Sequence, residues 1–126
     1  MKTNKPAVAA TDKQVFSLLG LCARQGAVKS GEFSADQAIK EGKARLVIVA
    51  TDASDNTKKA FKNACEYYKV PIRIFAAKTE LGHCIGREFR ASAAVTNEGL
   101  AKKILETIDE LQMKSSPSAE GEQEGI

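Results

Sequence analysis

Apolar residues recur along the chain first at helical spacing and then in short unbroken runs. Val15, Phe16, Leu18, Leu19 and Cys22 share one helical face, and Thr11 followed by Gln14 makes a capping-box signature just before them, so a helix is predicted over 12–24. Gly26 allows a chain reversal. The AVK segment behind it reads as a short edge strand, before a second helix that starts at Ser30 or Gly31 and stops at Gly42. The apolar face of that helix is thin, made of Phe33, Ala35, Ala38 and Ile39.

LVIVA, residues 46–50, is aliphatic and β-branched without alternation and too short for a helix, which predicts a central strand covered on both faces. Ser54 is placed to cap a third helix over 55–69, with Asp55 in its first turn and Phe61, Ala64, Cys65 and Tyr68 on one face. PIRIFA, 71–76, alternates Ile72 and Ile74 with Arg73 and Phe75 and reads as a second main strand, its proline at the first position. A short helix from Thr79 should end at Gly86, and SAAVT, 92–96, is a further strand. Asn97 then caps a helix carrying Leu100, Ile104, Leu105, Ile108 and Leu111.

This order predicts an α/β fold, a three-layer α/β/α sandwich around a mixed sheet of about four strands. In open sheets of this kind the site forms at the strand ends and the loops beyond them, which directs attention to residues 51–55 and 77–91. The predicted domain spans 11–113, between a flexible arm over 1–10 and a disordered acidic tail over 114–126, whose KSSPSAEGEQEGI is polar and aperiodic.

Composition narrows the class. Of the 126 residues 43% are hydrophobic and 28% charged, ordinary for a globular protein, and no apolar run approaches the ~20 residues that span a bilayer. The first residues lack the apolar stretch of a secretory signal, so a cytoplasmic protein is expected. The net charge of +3 survives in the body over 11–113, which holds 16 basic and 13 acidic residues, while the tail sets Lys114 against Glu120, Glu122 and Glu124. A mildly basic body is compatible with nucleic acid. Cys22, Cys65 and Cys84 are odd in number and lack CxxC spacing, which argues against disulfides and zinc and for reduced, small core residues.

Enzyme chemistry finds little support. His83 and Cys84 are neighbours on a predicted helix and point about 100° apart, which is poor geometry for a nucleophile and its base. Neither GxxxxGK[ST] nor GxGxxG occurs. Asp52 and Asp55 at the mouth of the central strand suit magnesium or a helix start, and the helix start is the simpler reading. Lys58, Lys59, Lys62 and Lys69 fit a solvated helix face. No metal and no cofactor are expected.

Several motifs together are more specific. GE at 31–32, GKA-x-LV-x-x-A at 42–50, DAS-x-NT at 52–57 and ELG-x-x-IG at 80–86, followed by AVTNEGLAKKIL, resemble the kink-turn-binding ribosomal-protein family over residues 15–111, and within it the small bacterial YlxQ-type members. The resemblance implies a sandwich in which the start of the second helix and the loop before the last strand lie side by side and grip structured RNA. By position it implies that Ser30 and Gly31 open the recognition helix and that Glu32, Phe33, Ser34 and Gln37 face the RNA. It also implies that Ile85, Gly86, Arg87, Glu88, Phe89, Arg90 and Ala91 form a second lip. Lys29, Lys40, Arg87 and Arg90 would meet phosphates.

The sequence departs from the archaeal and eukaryotic pattern, G-x-N-E with a lysine one turn later, whose polar groups read sheared G·A pairs. Phe33, Ser34 and Gln37 stand at those positions. For Phe33 two readings stay open, a core residue or an exposed platform for a base. The expectation is a monomeric, non-enzymatic RNA-binding protein acting on ribosomal or other kink-turn-like RNA, with no membrane partner. Its rivals are a protein-interaction module and an accessory RNA-recognition subunit of a modification enzyme.

Overall fold

A computed structural model of the protein describes residues 10–115. The predicted arm, except Ala10, and the predicted tail beyond Ser115 lie outside the described residues. The first helix, α1 (Asp12–Arg24), starts where its cap dictates: Gln14 N donates to Thr11 Oγ1 at 3.2 Å, and Thr11 N donates to Gln14 Oε1 at 2.9 Å. Val15, Leu19 and Cys22 on its inner face are fully buried. A three-residue strand, β1 (Val28–Ser30), leads into α2 (Glu32–Lys40), with Gly31 as its N-cap.

Strand β2 (Leu46–Val49) is buried at every residue, as a run without alternation requires. In α3 (Asp55–Tyr68), Ser54 Oγ accepts from Thr57 N at 3.1 Å, so Ser54 is a cap in fact. The next strand, β3 (Ile72–Ile74), is shorter than the predicted 71–76, although Phe75 N still donates to Val49 O at 3.0 Å. Then come α4 (Lys78–Cys84), β4 (Ser92–Val95) and α5 (Glu98–Ser115). In the last of these Leu100 N donates to Asn97 Oδ1 at 2.9 Å, and the helix runs to Ser115, two residues past the predicted domain boundary.

The four strands form one mixed sheet in the order β1-β4-β2-β3. β4 is antiparallel to both neighbours, pairing Lys29 with Ala94 on one side and Ile48 with Ala93 on the other, while β2 and β3 are parallel, with Ile48 opposite Arg73. Helices α2 and α3 cover one face and α1, α4 and α5 the other, the three-layer sandwich that the element order predicts. Alternation along β3 shows how the second face is tied down. Arg73 makes two hydrogen bonds to the Asp109 carboxylate of α5, at 2.6 and 3.1 Å, and the buried Phe75 ring meets Phe16 of α1 at 5.8 Å between centroids. The Asp109 carboxylate holds the Arg73 guanidinium above its usual pKa.

This topology brings the C-terminal ends of β1, β2 and β3 and the start of β4 to one end of the sheet. The loops after them gather there. At the other end, α3 stops with Lys69 in the left-handed region at φ 62°, and Val70 N closes the turn on Cys65 O at 2.9 Å. A side chain in this conformation costs about 1–2 kcal/mol relative to glycine. Lys69→Gly is therefore expected to raise stability by about 1 kcal/mol, measured by thermal or urea unfolding.

Candidate functional site

At the end of the sheet where the loops gather, residues about 60 positions apart in sequence meet. Gly31 N donates to Ser92 O at 2.9 Å, continuing the β1–β4 ladder by one rung, and Arg90 Nε donates to Ser30 Oγ at 3.2 Å. These bonds set the start of α2 against the loop that precedes β4. Between them lies an open groove of about 430 Å³ lined by Ser30, Gly31, Phe33, Lys78, Phe89 and Arg90, among others.

Gly31 sits at φ 92°, a conformation that a side chain would strain, and so turns the chain sharply from strand into helix. It leaves α2 without a side-chain cap. Each of the other four helices has one or more first-turn N–H groups satisfied by a side chain: Thr11, Ser54 and Asn97 serve α1, α3 and α5. At α4, Ala77 N donates to Glu80 Oε1 and Lys78 N to Asp52 Oδ1, both at 2.9 Å. The open N–H groups and positive dipole end of α2 thus face the groove, an arrangement suited to an anion.

The loop over 86–91 owes its shape to two glycines with different jobs. Gly86, at φ 83°, ends α4 in a Schellman turn, with Gly86 N donating to His83 O and Arg87 N to Gly82 O. Gly82 provides room: a Cβ there would lie 2.3 Å from the Cα of Phe89, so the loop backbone rests directly on α4. Arg90 is held in place by Ser30 and by its own NH1 bond to Phe89 O at 2.8 Å, and Arg90 N donates to Lys78 O. Its guanidinium is pre-oriented at the groove wall.

The ambiguity of Phe33 resolves toward the surface, because its ring is 78% exposed; Phe89, across the groove, is 55% exposed. Only Ala35, Ala38 and Ile39 of the predicted α2 face enter the core. Glu32 is exposed and Ser34 and Ala91 half-buried in the same groove, while Arg87 and Glu88 are exposed on the loop outside its lining.

Four expected site residues, Ile85, Lys40, Gln37 and Lys29, stand elsewhere. Ile85 is buried among the core residues and anchors the loop from within, being one helical turn from the buried Leu81. Lys40 lies at the far end of α2, 3.0 Å from Asp36, whose carboxylate raises the lysine's pKa. Gln37 donates to Glu41 Oε2 at 3.0 Å and lines, with Lys29, Ser34 and Lys43, a separate hollow on the outer side of α2. Lys78 does line the groove, and sequence reasoning had only its stretch of loop. Its signal was position, between the end of β3 and the body of the next helix.

Asp52 is committed to the start of α4 through Lys78 N, and among the described residues no three His, Cys, Asp or Glu side chains gather into a metal site. Cys22 and Cys65 are buried, but Cys84 is only half-buried, and its thiol donates to Leu81 O at 3.2 Å instead of facing His83. Burial pushes the Cys65 and Cys84 thiols up to about 11, so neither is a thiolate nucleophile near neutrality. No helix among the described residues is long and apolar enough to cross a membrane.

The chain is 42% identical over 94 residues to the RNA-binding protein YlxQ of Bacillus subtilis (strain 168), an alignment covering 75% of this chain and 94% of that one. It is 37% identical over 97 residues to the RNA-binding protein YlxQ of Enterococcus faecium, covering 77% and 93%. Among solved structures, a protein of unknown function from Bacillus halodurans C superposes with a TM-score of 0.74 at 33% identity, over 76% of this chain and 97% of that one. The 15.5kD RNA binding protein of Giardia lamblia shares the fold, with a TM-score of 0.66 at 24% identity over 87% and 98%. The model of the ribosomal protein L7Ae/L30e/S12e/Gadd45 family matches residues 13–106. With the family model matching residues 13–106 and relatives aligned over three-quarters of its length, the chain belongs to that family.

Proposed function

We propose that the protein is a non-enzymatic, monomeric RNA-binding protein that recognises structured, kink-turn-like RNA, ribosomal RNA foremost, through the groove between the start of α2 and the loop over 86–91. The observation that carries this reading is the pairing of an uncapped helix N-terminus with a pre-oriented arginine, flanked by two exposed aromatic rings. Backbone N–H groups and Arg90 suit phosphates, Lys78 and Arg87 add charge, and Phe33 and Phe89 offer stacking faces to unpaired bases. The names carried by the two YlxQ relatives support the same reading.

Shape and stacking take the place of hydrogen bonding to sheared G·A pairs, since Phe33 and Ser34 stand where an asparagine and a glutamate do that work in other branches. The test is binding of a kink-turn RNA and of a duplex control across a salt series. Arg87→Ala and Arg90→Ala should each weaken binding and lower the salt slope by roughly 0.7 to 0.9. Unchanged affinity and slope in both variants would remove the loop from the interface. Phe33→Asn with Ser34→Glu should raise affinity for a standard kink-turn about tenfold over the duplex, because a good bidentate base contact is worth about 1–3 kcal/mol. No gain in a normally folded double variant would mean that α2 does not meet kink-turns as it does in those branches.

A further inference from the structure

The loop over 86–91 rests on one side of α4, and the other side of that helix forms a second groove with α1. It is lined by Lys13, Arg24 and His83 together with Phe16, Ser17, Gly20 and Cys84. All three basic side chains are exposed, and the lining contains no acidic residue. The two helices approach closely at Gly20, where a Cβ would come within 3.1 Å of Cys84 O.

Solvated surface cations are common and usually idle, so their pairing state matters. Among the described residues, the ion pairs join Lys40 to Asp36, Lys43 to Glu41 and Arg73 to Asp109. Lys13 and Arg24 enter none of them. Glu80, the acidic residue of α4, is engaged at Ala77 N. Among the described residues no ion pair engages Lys13 or Arg24, whereas Lys40 and Lys43 on the outer side of α2 are both paired.

We propose that the α1–α4 groove is a phosphate track for a duplex arm of the same RNA that the first groove holds, an inference that rests on the function proposed above. Two observations join the grooves. Arg87 N is bonded to Gly82 O and the Phe89 backbone packs on Gly82, so the loop that touches RNA on one side is seated on the helix that carries His83. Lys13, Ser17, Gly20 and Arg24 form one stripe of α1, and the eleven steps from Lys13 to Arg24 span roughly 16 Å. An RNA arm leaving the loop meets Lys13 and Arg24 in a groove whose lining has no carboxylate, and such contacts carry no sequence information.

The experiment compares a minimal kink-turn RNA with two RNAs in which one arm or the other is lengthened by about ten base pairs. The proteins are the full chain and its Lys13→Gln, Arg24→Gln, His83→Gln triple variant, whose changes are all on exposed side chains. The full chain should bind one extended RNA about tenfold more tightly than the minimal one, and the triple variant should lose that gain and about two units of salt slope on the extended RNA. Its affinity for the minimal RNA should stay the same. A full chain that binds the minimal RNA and gains nothing from either extension overturns this inference alone, as does a triple variant that keeps the gain. A full chain that prefers none of these RNAs to plain duplex overturns the proposed function as well.

Discussion

Gly82→Ala is expected to lower stability by about 2 kcal/mol and to reduce RNA affinity tenfold or more, although the same substitution in an exposed helix ordinarily stabilises by about 1 kcal/mol. The sign reverses because of what the added carbon meets. It would lie 2.3 Å from Phe89 Cα, 2.6 Å from Phe89 N and 2.7 Å from Phe89 C, and backbone cannot rotate away as a flexible side chain can. Either α4 or the loop must move, which disturbs the Arg87-to-Gly82 bond and the seat of Arg90 against Ser30. Gly99→Ala is the control, because a Cβ on Gly99 in α5 meets only Asn97 Oδ1, at 3.6 Å, and should be neutral or stabilising. Thermal unfolding and RNA titration of both variants decide the matter. Equal stability and affinity in Gly82→Ala would show that the loop does not depend on its rest against α4.

The second large effect is a separation of folding from binding at the two exposed rings. Phe33→Ala combined with Phe89→Ala should leave unfolding free energy within about 1 kcal/mol of the parent, because neither ring is buried. Affinity for RNA with unpaired bases should fall on the order of 100-fold, since each stacked base is worth about 1–3 kcal/mol. Denaturant unfolding and binding measured on the same preparations distinguish the cases. A loss of about 3–5 kcal/mol in stability per ring would mark core residues. Normal folding with undiminished affinity would exclude stacking and leave the phosphate contacts alone to hold the RNA.

Phe33 also shows where reading from sequence stops. Its spacing with Ala35, Ala38 and Ile39 fits a helix face, and nothing local says whether the first member of that face reaches the core. In the folded chain α2 packs on β4, β1 and α3 through Ala35, Ala38 and Ile39, and its first turn projects beyond them. Lys40 and Arg90 make the same point with charge. Both are basic and flank the suspected segments, yet one is neutralised by Asp36 a helical turn away and the other is braced by Ser30 from a distant strand.

What the amino-acid order determined by itself was everything governed by near neighbours. Thr11 with Gln14, Ser54 and Asn97 start helices because a side-chain oxygen reaches an N–H two or three residues on, and Gly86 stops one because the turn needs its φ. The unbroken run at β2 announced a strand with two covered faces, and from these elements the three-layer sandwich follows. Tertiary structure alone decided which polar groups meet: that Arg90 reaches Ser30, that Asp52 closes on Lys78 and that the Phe89 backbone lies on Gly82. Such pairings depend on how four strands order themselves as β1-β4-β2-β3, which brings the start of α2 beside the loop before β4. Local periodicity reports which face of an element is apolar, but not which element lies against it, and the groove exists only where two such elements meet.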